Sequence, residues 1–148
     1  MKTFNRLLLF VLAAFPFTAC SPKATPSSAI MTQGNNPYAP QSSDSVLIRG
    51  EITVDSAALT VAETQPLQVI LNFAYFQPTP CYQLRVEVGQ PDAQNRIDIS
   101  AYTVAEKNKV CTLMALATPM QASLDLGSFP QGQFSVWLNG EQVGNFAS

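Results

Sequence analysis

Residues 133–146 read QFSVWLNGEQVGNF, and this stretch decides the fold. Apolar side chains stand at every second position in Phe134, Val136 and Leu138, which is the pattern of a β-strand with one buried face. Asn139 and Gly140 follow, and Asn-Gly is the preferred pair for a two-residue type I′ turn because both residues tolerate positive φ. A second extended run comes after the turn. The stretch therefore predicts a β-hairpin at the end of the chain.

The hairpin also has a predicted register. A two-residue turn places Val136 opposite Val143. In that register Phe146 points to the solvent face, one residue out of phase with the apolar row. We expect a bulge near Gly144 that turns Phe146 inward, because one extra residue in a strand reverses the faces that follow it.

Short strands with similar alternation precede the hairpin. The clearest is Leu67–Tyr75, in which every second side chain is apolar. Turn-forming residues such as Gly, Pro, Asn and Asp separate one run from the next. The other predicted strands are Val46–Ile52, Ala58–Ala62, Tyr82–Val88, Ile97–Thr103, Val110–Leu116 and Ala122–Leu126.

Two of these runs carry predictions about which face is buried. In the strand at residues 82–88 the alternate row of Gln83, Arg85 and Glu87 indicates a solvated sheet face, as antiparallel sheets allow. In the first strand we expect Val46 and Ile48 to point inward.

Seven to eight short strands, no long helix after the N-terminus and a single tryptophan are typical of an antiparallel β-sandwich. A small antiparallel barrel is the alternative architecture. The segment Gly132–Gly140 resembles the final hairpin of bacterial immunoglobulin-like domains, in which an aromatic and a valine precede an Asn-Gly turn. The resemblance implies an immunoglobulin-like sandwich over residues 45–148. It concerns architecture alone. In true antibody domains the tryptophan lies between the two cysteines in the sequence, whereas Trp137 follows both of the domain's cysteines.

The N-terminus has the features of an export signal. Lys2 and Arg6 precede an apolar run from Leu7 to Phe17, and a small residue, Ala19, stands before Cys20. The run is too short to span a bilayer, which takes roughly 20 residues. An ordinary secretory signal and a retained membrane anchor remain as alternatives.

The segment from residue 17 to residue 20 resembles the lipobox of bacterial lipoproteins. In that motif small residues precede an invariant cysteine, and Thr18, Ala19 and Cys20 fit it, while Phe17 replaces the usual leucine. The resemblance implies that residues 1–19 are a lipoprotein signal peptide and that Cys20 becomes the lipidated N-terminus. Ser21 resembles the pattern that directs lipoproteins to the outer membrane in hosts with two membranes. We expect residues 20–44, rich in proline and serine, to be a disordered tether.

Three cysteines stand in the chain. With Cys20 assigned to lipid, Cys81 and Cys111 remain as one pair, and in an oxidising compartment a disulfide is the expected outcome. A metal site is the weaker interpretation, because the chain has no histidine and no further cysteine to complete a zinc ligand set.

The composition disfavours several classes of function. Without histidine the chain cannot form the usual Ser-His-Asp or Cys-His nucleophile arrangements, so we expect no enzyme activity and no cofactor. From residue 45 onward nine acidic residues stand against five basic ones, with no basic cluster, which argues against nucleic acid as a partner. Asp92, Asn95 and Asp98 supply oxygen atoms for a calcium ion, but their residue types also favour turns, and we expect a turn.

Aromatic side chains are the candidate binding surface. Tyrosine and tryptophan outside a core often mark such surfaces. The alternative is that the same residues belong to a second apolar layer of the sandwich. The candidates are Tyr75, Phe76, Tyr82, Tyr102 and Trp137.

These observations predict a non-catalytic binding or assembly module, held by lipid in the cell envelope. An envelope protein or a polysaccharide is the expected partner. The alternative is an inhibitor of an exported hydrolase, with the loop from Gln77 to Cys81 as the inserted segment, because proline and a disulfide would pre-organise it.

Overall fold

The computed structural model describes residues 31–77, 79–111 and 119–148. The predictions for the signal peptide, for Cys20 and for residues 20–30 of the tether lie outside these residues, as does most of the predicted strand from residue 110 to residue 116. The described elements are a short 3₁₀ helix, Ser42–Val46, and eight β-strands. The strands are β1 (Leu47–Gly50), β2 (Thr53–Ala62), β3 (Gln68–Phe76), β4 (Gln83–Val88), β5 (Arg96–Glu106), β6 (Met120–Gly127), β7 (Gln133–Leu138) and β8 (Glu141–Ala147).

The strands form two sheets that pack face to face as a β-sandwich, which confirms the predicted fold class. One sheet has three strands in the order β2-β3-β6, and all of its pairs are antiparallel. The other has five strands and is built around β5. Strand β4 pairs with one side of β5, while β1 and β7 share the other side, and β8 extends the sheet from β7.

One pair departs from the antiparallel expectation. Strands β5 and β7 are parallel, with Ile97 opposite Val136 and Ile99 opposite Leu138. Between them the chain crosses to the three-stranded sheet to form β6, and a crossover of that kind is what lets two strands of one sheet run in the same direction.

The core lies between the two sheets and comes from the predicted inward rows. Strands β3, β5, β6 and β7 bury an alternate row of side chains because alternate residues point to the same face. The inward rows of β3, β5, β6 and β7 are therefore confirmed. The core residues include Val69, Leu71, Phe73, Ile97, Ile99, Ala122, Leu124, Leu126, Phe134, Val136 and Leu138.

The terminal hairpin forms at the predicted turn but with a different register. Asn139 has φ 49° and Gly140 has φ 90°, so both positive φ values are confirmed. A bulge lies next to Gly144, as predicted: Val136 is opposite Gly144, and Val143 is the extra residue. Phe146 is buried, as expected. The prediction that Val136 faces Val143 is wrong.

Residues 31–46, here called the N-terminal strap, lie against the sandwich, so the predicted tether is wrong for residues 31–44. Met31 is buried in the core, and Thr32 forms a bridge with Ser128. Gly127 has φ 89°, and a Cβ atom there would collide with the Thr32 carbonyl oxygen, so glycine is required where the strap crosses β6.

The strap continues along the free edge of β4. The Val86 N–H donates a hydrogen bond to the Tyr38 carbonyl at 2.8 Å, and the Asn36 side-chain amide donates to the Val86 carbonyl, also at 2.8 Å. These bonds satisfy backbone groups that an edge strand would otherwise leave open.

The strap ends in an ion pair over the outer face of the five-stranded sheet. Arg85 donates to Asp44 through Nε at 2.7 Å and through a second nitrogen at 2.9 Å, and its side chain is only 7% exposed. The prediction that Arg85 faces solvent is therefore wrong, because the strap covers it. The hydrogen bond from Arg85, followed by one from the Gln41 N–H, holds the pKa of Asp44 below its usual value.

This ion pair predicts a pH-dependent contribution to stability. A lowered folded-state pKa means that the contribution is fully present above the unfolded-state pKa, 3.8, and is lost as the pH falls through the folded-state value. We expect Asp44→Asn to unfold at lower urea than the wild type at neutral pH, and the two to converge as the pH falls below 3.8.

The measurement is the urea midpoint of both proteins over a series of pH values. Asp98→Asn is the matched control, because its ion pair with Arg96 is exposed and such pairs contribute little. A difference between Asp44→Asn and the wild type that stays constant down to low pH would contradict the role assigned to the ion pair.

Two apolar side chains do not point into the core as expected, those of Val46 at the end of the 3₁₀ helix and of Ile48 in β1. Val46 is 78% exposed and Ile48 is 43% exposed, so the prediction that both face inward is wrong. Of the predicted strand from residue 110 to residue 116, Val110 is almost fully exposed and belongs to no strand. Within the described residues no helix has the length and apolar character needed to cross a membrane.

Candidate functional site

The two predicted cysteines form a disulfide, which confirms the pairing. Cys81 lies in the connection between β3 and β4, and Cys111 follows β5, with the two Cα atoms 6.0 Å apart. The bond therefore ties together two connections at one end of the sandwich.

The five candidate aromatic residues do not form one surface. Tyr75 and Phe76 belong to the three-stranded sheet, whereas Tyr102 and Trp137 belong to the five-stranded sheet. Tyr75 is 4% exposed and packs against Phe73 in the core, with ring centroids 5.8 Å apart. The core interpretation is therefore correct for Tyr75, while Phe76, Tyr82 and Trp137 are half-buried.

Tyr102 lies on the outer face of the five-stranded sheet but is covered by charged neighbours. The Arg49 guanidinium stacks 3.4 Å from the centre of its ring. Its hydroxyl donates a hydrogen bond to Glu87 at 2.6 Å. Burial raises the pKa of Tyr102, and the bond to Glu87 raises it further. The tyrosine is thus a packed, neutral part of the sheet face.

Trp137 is covered in the same way. The Arg96 guanidinium lies 4.0 Å from the centre of its ring, and Asp98 fixes the arginine through bonds at 2.6 and 2.9 Å. A ring face occupied by a guanidinium is not open for stacking against a sugar or another ring. One face of each of these two rings is therefore occupied by an arginine of the same chain.

The turn that precedes β5 uses its oxygen atoms internally. Asp92 accepts hydrogen bonds from the backbone N–H groups of Gln94 and Arg96, each at 2.8 Å. Asn95 has φ 58°, a value that asparagine adopts readily in turns. Asp92 and Asn95 therefore form a turn, as expected.

The loop considered for insertion into an exported hydrolase is only partly presented to solvent. Gln77 and Thr79 are both 6% exposed. An inhibitory loop must project from the surface to enter a partner's cleft. The buried side chains of Gln77 and Thr79 are therefore not available for insertion into a partner, whereas Pro80 of the same loop is exposed.

A groove lies between the edges of the two sheets, and we call it the edge groove. No sequence motif predicted it. It runs between the first half of β2 and the start of β8, with a volume of about 500 Å³. Two carboxylates, Asp55 and Glu141, line it together with polar residues of both strands. Its apolar lining residues are Ile52, Val54, Ala57, Leu138 and Val143.

Asn139 has a structural task that its turn position did not reveal. Strands β1 and β7 leave a gap along β5, and the Asn139 side chain fills it by accepting a bond from the Ala101 N–H at 2.8 Å and donating one to the Ala101 carbonyl at 2.9 Å. The amide side chain here makes the two backbone hydrogen bonds that a neighbouring strand would otherwise make. A shallow cleft of about 610 Å³ opens beside it, with Arg49 and Glu51 among its lining residues.

Comparison with known proteins identifies a family but no activity. Residues 71–148 match the family model described as the ORF11 beta-sandwich domain. No curated protein and no solved structure shows significant similarity to the chain. The matched residues cover more than half of the sequence and run from within β3 to the C-terminus. The chain therefore belongs to the ORF11 beta-sandwich domain family.

Proposed function

We propose that the protein is a lipid-anchored component of the cell envelope whose β-sandwich serves as a non-catalytic binding or assembly module. The observation that carries the anchor is the stretch that ends at Cys20, where a positive N-terminus and a short apolar run lead to Thr18 and Ala19. Acylation of Cys20 would hold the domain at a membrane, the outer one if the host has two. A lipidated N-terminal cysteine anchors a protein by burying acyl chains in the bilayer.

The cysteine pairing supports export. A disulfide between Cys81 and Cys111 persists only in an oxidising compartment, outside the cytosol. It also accounts for both domain cysteines, so that Cys20 is the cysteine left for lipid.

The strap supports a specific geometry for the anchored domain. Met31, the first residue that the structure describes, is already buried in the core, so at most ten residues, 21–30, would separate Cys20 from the sandwich. Fully extended, such a linker reaches roughly 35 Å. The domain would therefore stay close to the bilayer surface, which suits a protein that acts on partners in the same envelope layer.

The absence of histidine and the internal use of charged groups support a binding role in place of catalysis. Arg85, Arg96 and Lys109 each pair with a carboxylate of the same chain. Another protein or a polysaccharide of the envelope is the class of partner that we propose, and the acidic balance of the domain disfavours nucleic acid.

Substitution of the anchor residue tests the proposal. We expect Cys20→Ala to remain unprocessed and to incorporate no radiolabelled palmitate, because the sulfur that carries the diacylglycerol is gone. Ser21→Ala is the matched control, since it changes the next residue and leaves the thiol in place. Equal palmitate incorporation by Cys20→Ala and wild type would overturn the lipid anchor.

A further inference from the structure

Strand β2 is a long edge strand of the three-stranded sheet. Within the described residues it pairs only with β3, so every second N–H and C=O along its ten residues points away from the sheet. The edge of β4 is closed by the strap, through Tyr38 and Asn36. The exposed edge of β8 is interrupted by a bulge at Val143. Natural proteins usually block edges of this length with lysine, proline or a covering segment.

The composition of β2 leaves the edge open to another strand. From Ser56 to Ala62 the strand has no charged residue, no proline and no glycine. Its single interruption is a bulge at Asp55, close to its first residue. A strand with these properties is a ready template for main-chain pairing.

The edge groove lies directly beside this template. Val54 and Ala57 point toward the core side of β2, because they pair with Tyr75 and Phe73 of the buried row. A strand added to β2 would therefore send its alternate side chains into the groove, toward Val143 on the far wall. Leu59 closes the other end, since a Cβ on Gly144 would lie 3.2 Å from its side chain. Backbone pairing and side-chain pockets are the two components of recognition by strand addition.

Charge selects what can occupy the site. Asp55 and Glu141 line the groove, and none of its described lining residues is basic. Glu63 lies just beyond the other end of β2. A second copy would bring the same edge, and a two-fold pairing centred on Leu59 would place Asp55 opposite the other copy's Glu63. Like charges placed directly opposite each other destabilise strand pairs.

We propose that β2 and the edge groove bind an extended segment of a partner protein by strand addition. The segment carries small or medium apolar side chains at alternate positions, with lysine or arginine at its ends. This inference rests on the proposed binding function and names the class of partner and its site. It does not depend on the lipid anchor.

The test is a peptide titration of the full chain in a mild detergent, followed by backbone amide chemical shifts. The probe is a short synthetic peptide in which valine alternates with threonine and a lysine stands at each end. We expect shifts at Thr53–Ala57 and Glu141–Val143. The same peptide with glutamate ends should bind roughly five- to tenfold more weakly, the effect of two exposed charge contacts.

A pair of charge-reversal variants separates the site from the net charge of the protein. We expect Asp55→Lys to weaken binding of the lysine-ended peptide by about fivefold and to strengthen binding of the glutamate-ended one. Glu106→Lys makes the same change in charge at an exposed position of β5, in the other sheet and outside the edge groove, and should alter the affinity by less than about twofold.

Several outcomes would overturn the proposal. The lysine-ended peptide would fail to bind, would bind with the same affinity as the glutamate-ended one, or would change chemical shifts only in another part of the sandwich. Chemical shifts of β2 that change with protein concentration in the absence of peptide would also overturn it, because they would assign the edge to self-association. None of them bears on acylation. Failure of strand addition is therefore distinguishable from failure of the anchor, which is measured by palmitate incorporation.

Discussion

Replacing Cys81 and Cys111 together by serine should lower the free energy of unfolding by roughly 3.5–4 kcal/mol. The bond joins residues that are 30 positions apart, so in the chain-entropy model it restricts a long loop of the unfolded chain. A loss of this size is a large part of the 5–15 kcal/mol that stabilises a typical domain. In a domain of this length it corresponds to a fall in melting temperature of at least about 10 °C.

Urea denaturation of the oxidised wild type and the double variant measures this effect. Reduction of the wild type serves as an internal control, because it opens the same loop without changing any residue. The reduced wild type should unfold close to the double variant. An unchanged melting temperature after complete reduction would show that the bond does not contribute to stability.

Gly140→Val should cost roughly 1–3 kcal/mol of stability even though the position is fully open to solvent. The glycine has φ 90°, a value that a β-branched residue resists, and a Cβ there would meet no atom within 4 Å. The cost is therefore a backbone cost without a steric clash. Gly140→Asn should cost less, since asparagine tolerates positive φ.

The control for this prediction lies two residues away in the same hairpin. Gln142 is exposed on β8, and Gln142→Val should change the stability by less than about half a kcal/mol. Thermal or urea unfolding of both variants provides the comparison. Equal losses of stability for Gly140→Val and Gln142→Val would mean that the turn that requires positive φ lies elsewhere.

Local sequence pattern was sufficient to predict the inward rows of β3, β5, β6 and β7. In β3 the alternation from Leu67 to Tyr75 is unbroken, and burial follows it because period two is a property of the strand itself. The Asn-Gly turn was predictable for the same reason, since its φ values depend on two adjacent residues. The partner of Val136 was not predictable in this way, because the bulge at Val143 places Gly144 opposite it, and Gly144 lies against Leu59 of the other sheet, a contact that no local pattern contains.

The strap could not be predicted because its partners are distant in the sequence. Asp44 and Arg85 are 41 residues apart, and neither is surrounded by a pattern that indicates burial. The proline-rich composition from Pro22 to Pro40 indicated a tether, since such segments bury little apolar surface. Residues 31–44 are held instead by hydrogen bonds to sheet edges, which composition does not show.

The candidate site was hidden for a related reason. The aromatic residues were predicted to form a binding surface because of their residue type. Tyr102 and Trp137, however, are stacked beneath arginines whose positions depend on strand pairing. The edge groove, in contrast, consists of ordinary residues such as Val54 and Ala57. It exists because β2 and β8 are the last strands of their sheets on the same side of the sandwich.

Mass spectrometry of the protein purified from bacterial membranes tests the central claim most directly. The account predicts a mature chain that begins at Cys20, carries a diacylglycerol on the sulfur, and yields a peptide pair joined through Cys81 and Cys111. A chain that retains residues 1–19, or that begins at Cys20 with a free thiol, would contradict the lipid anchor and with it the proposed place of this β-sandwich in the cell envelope.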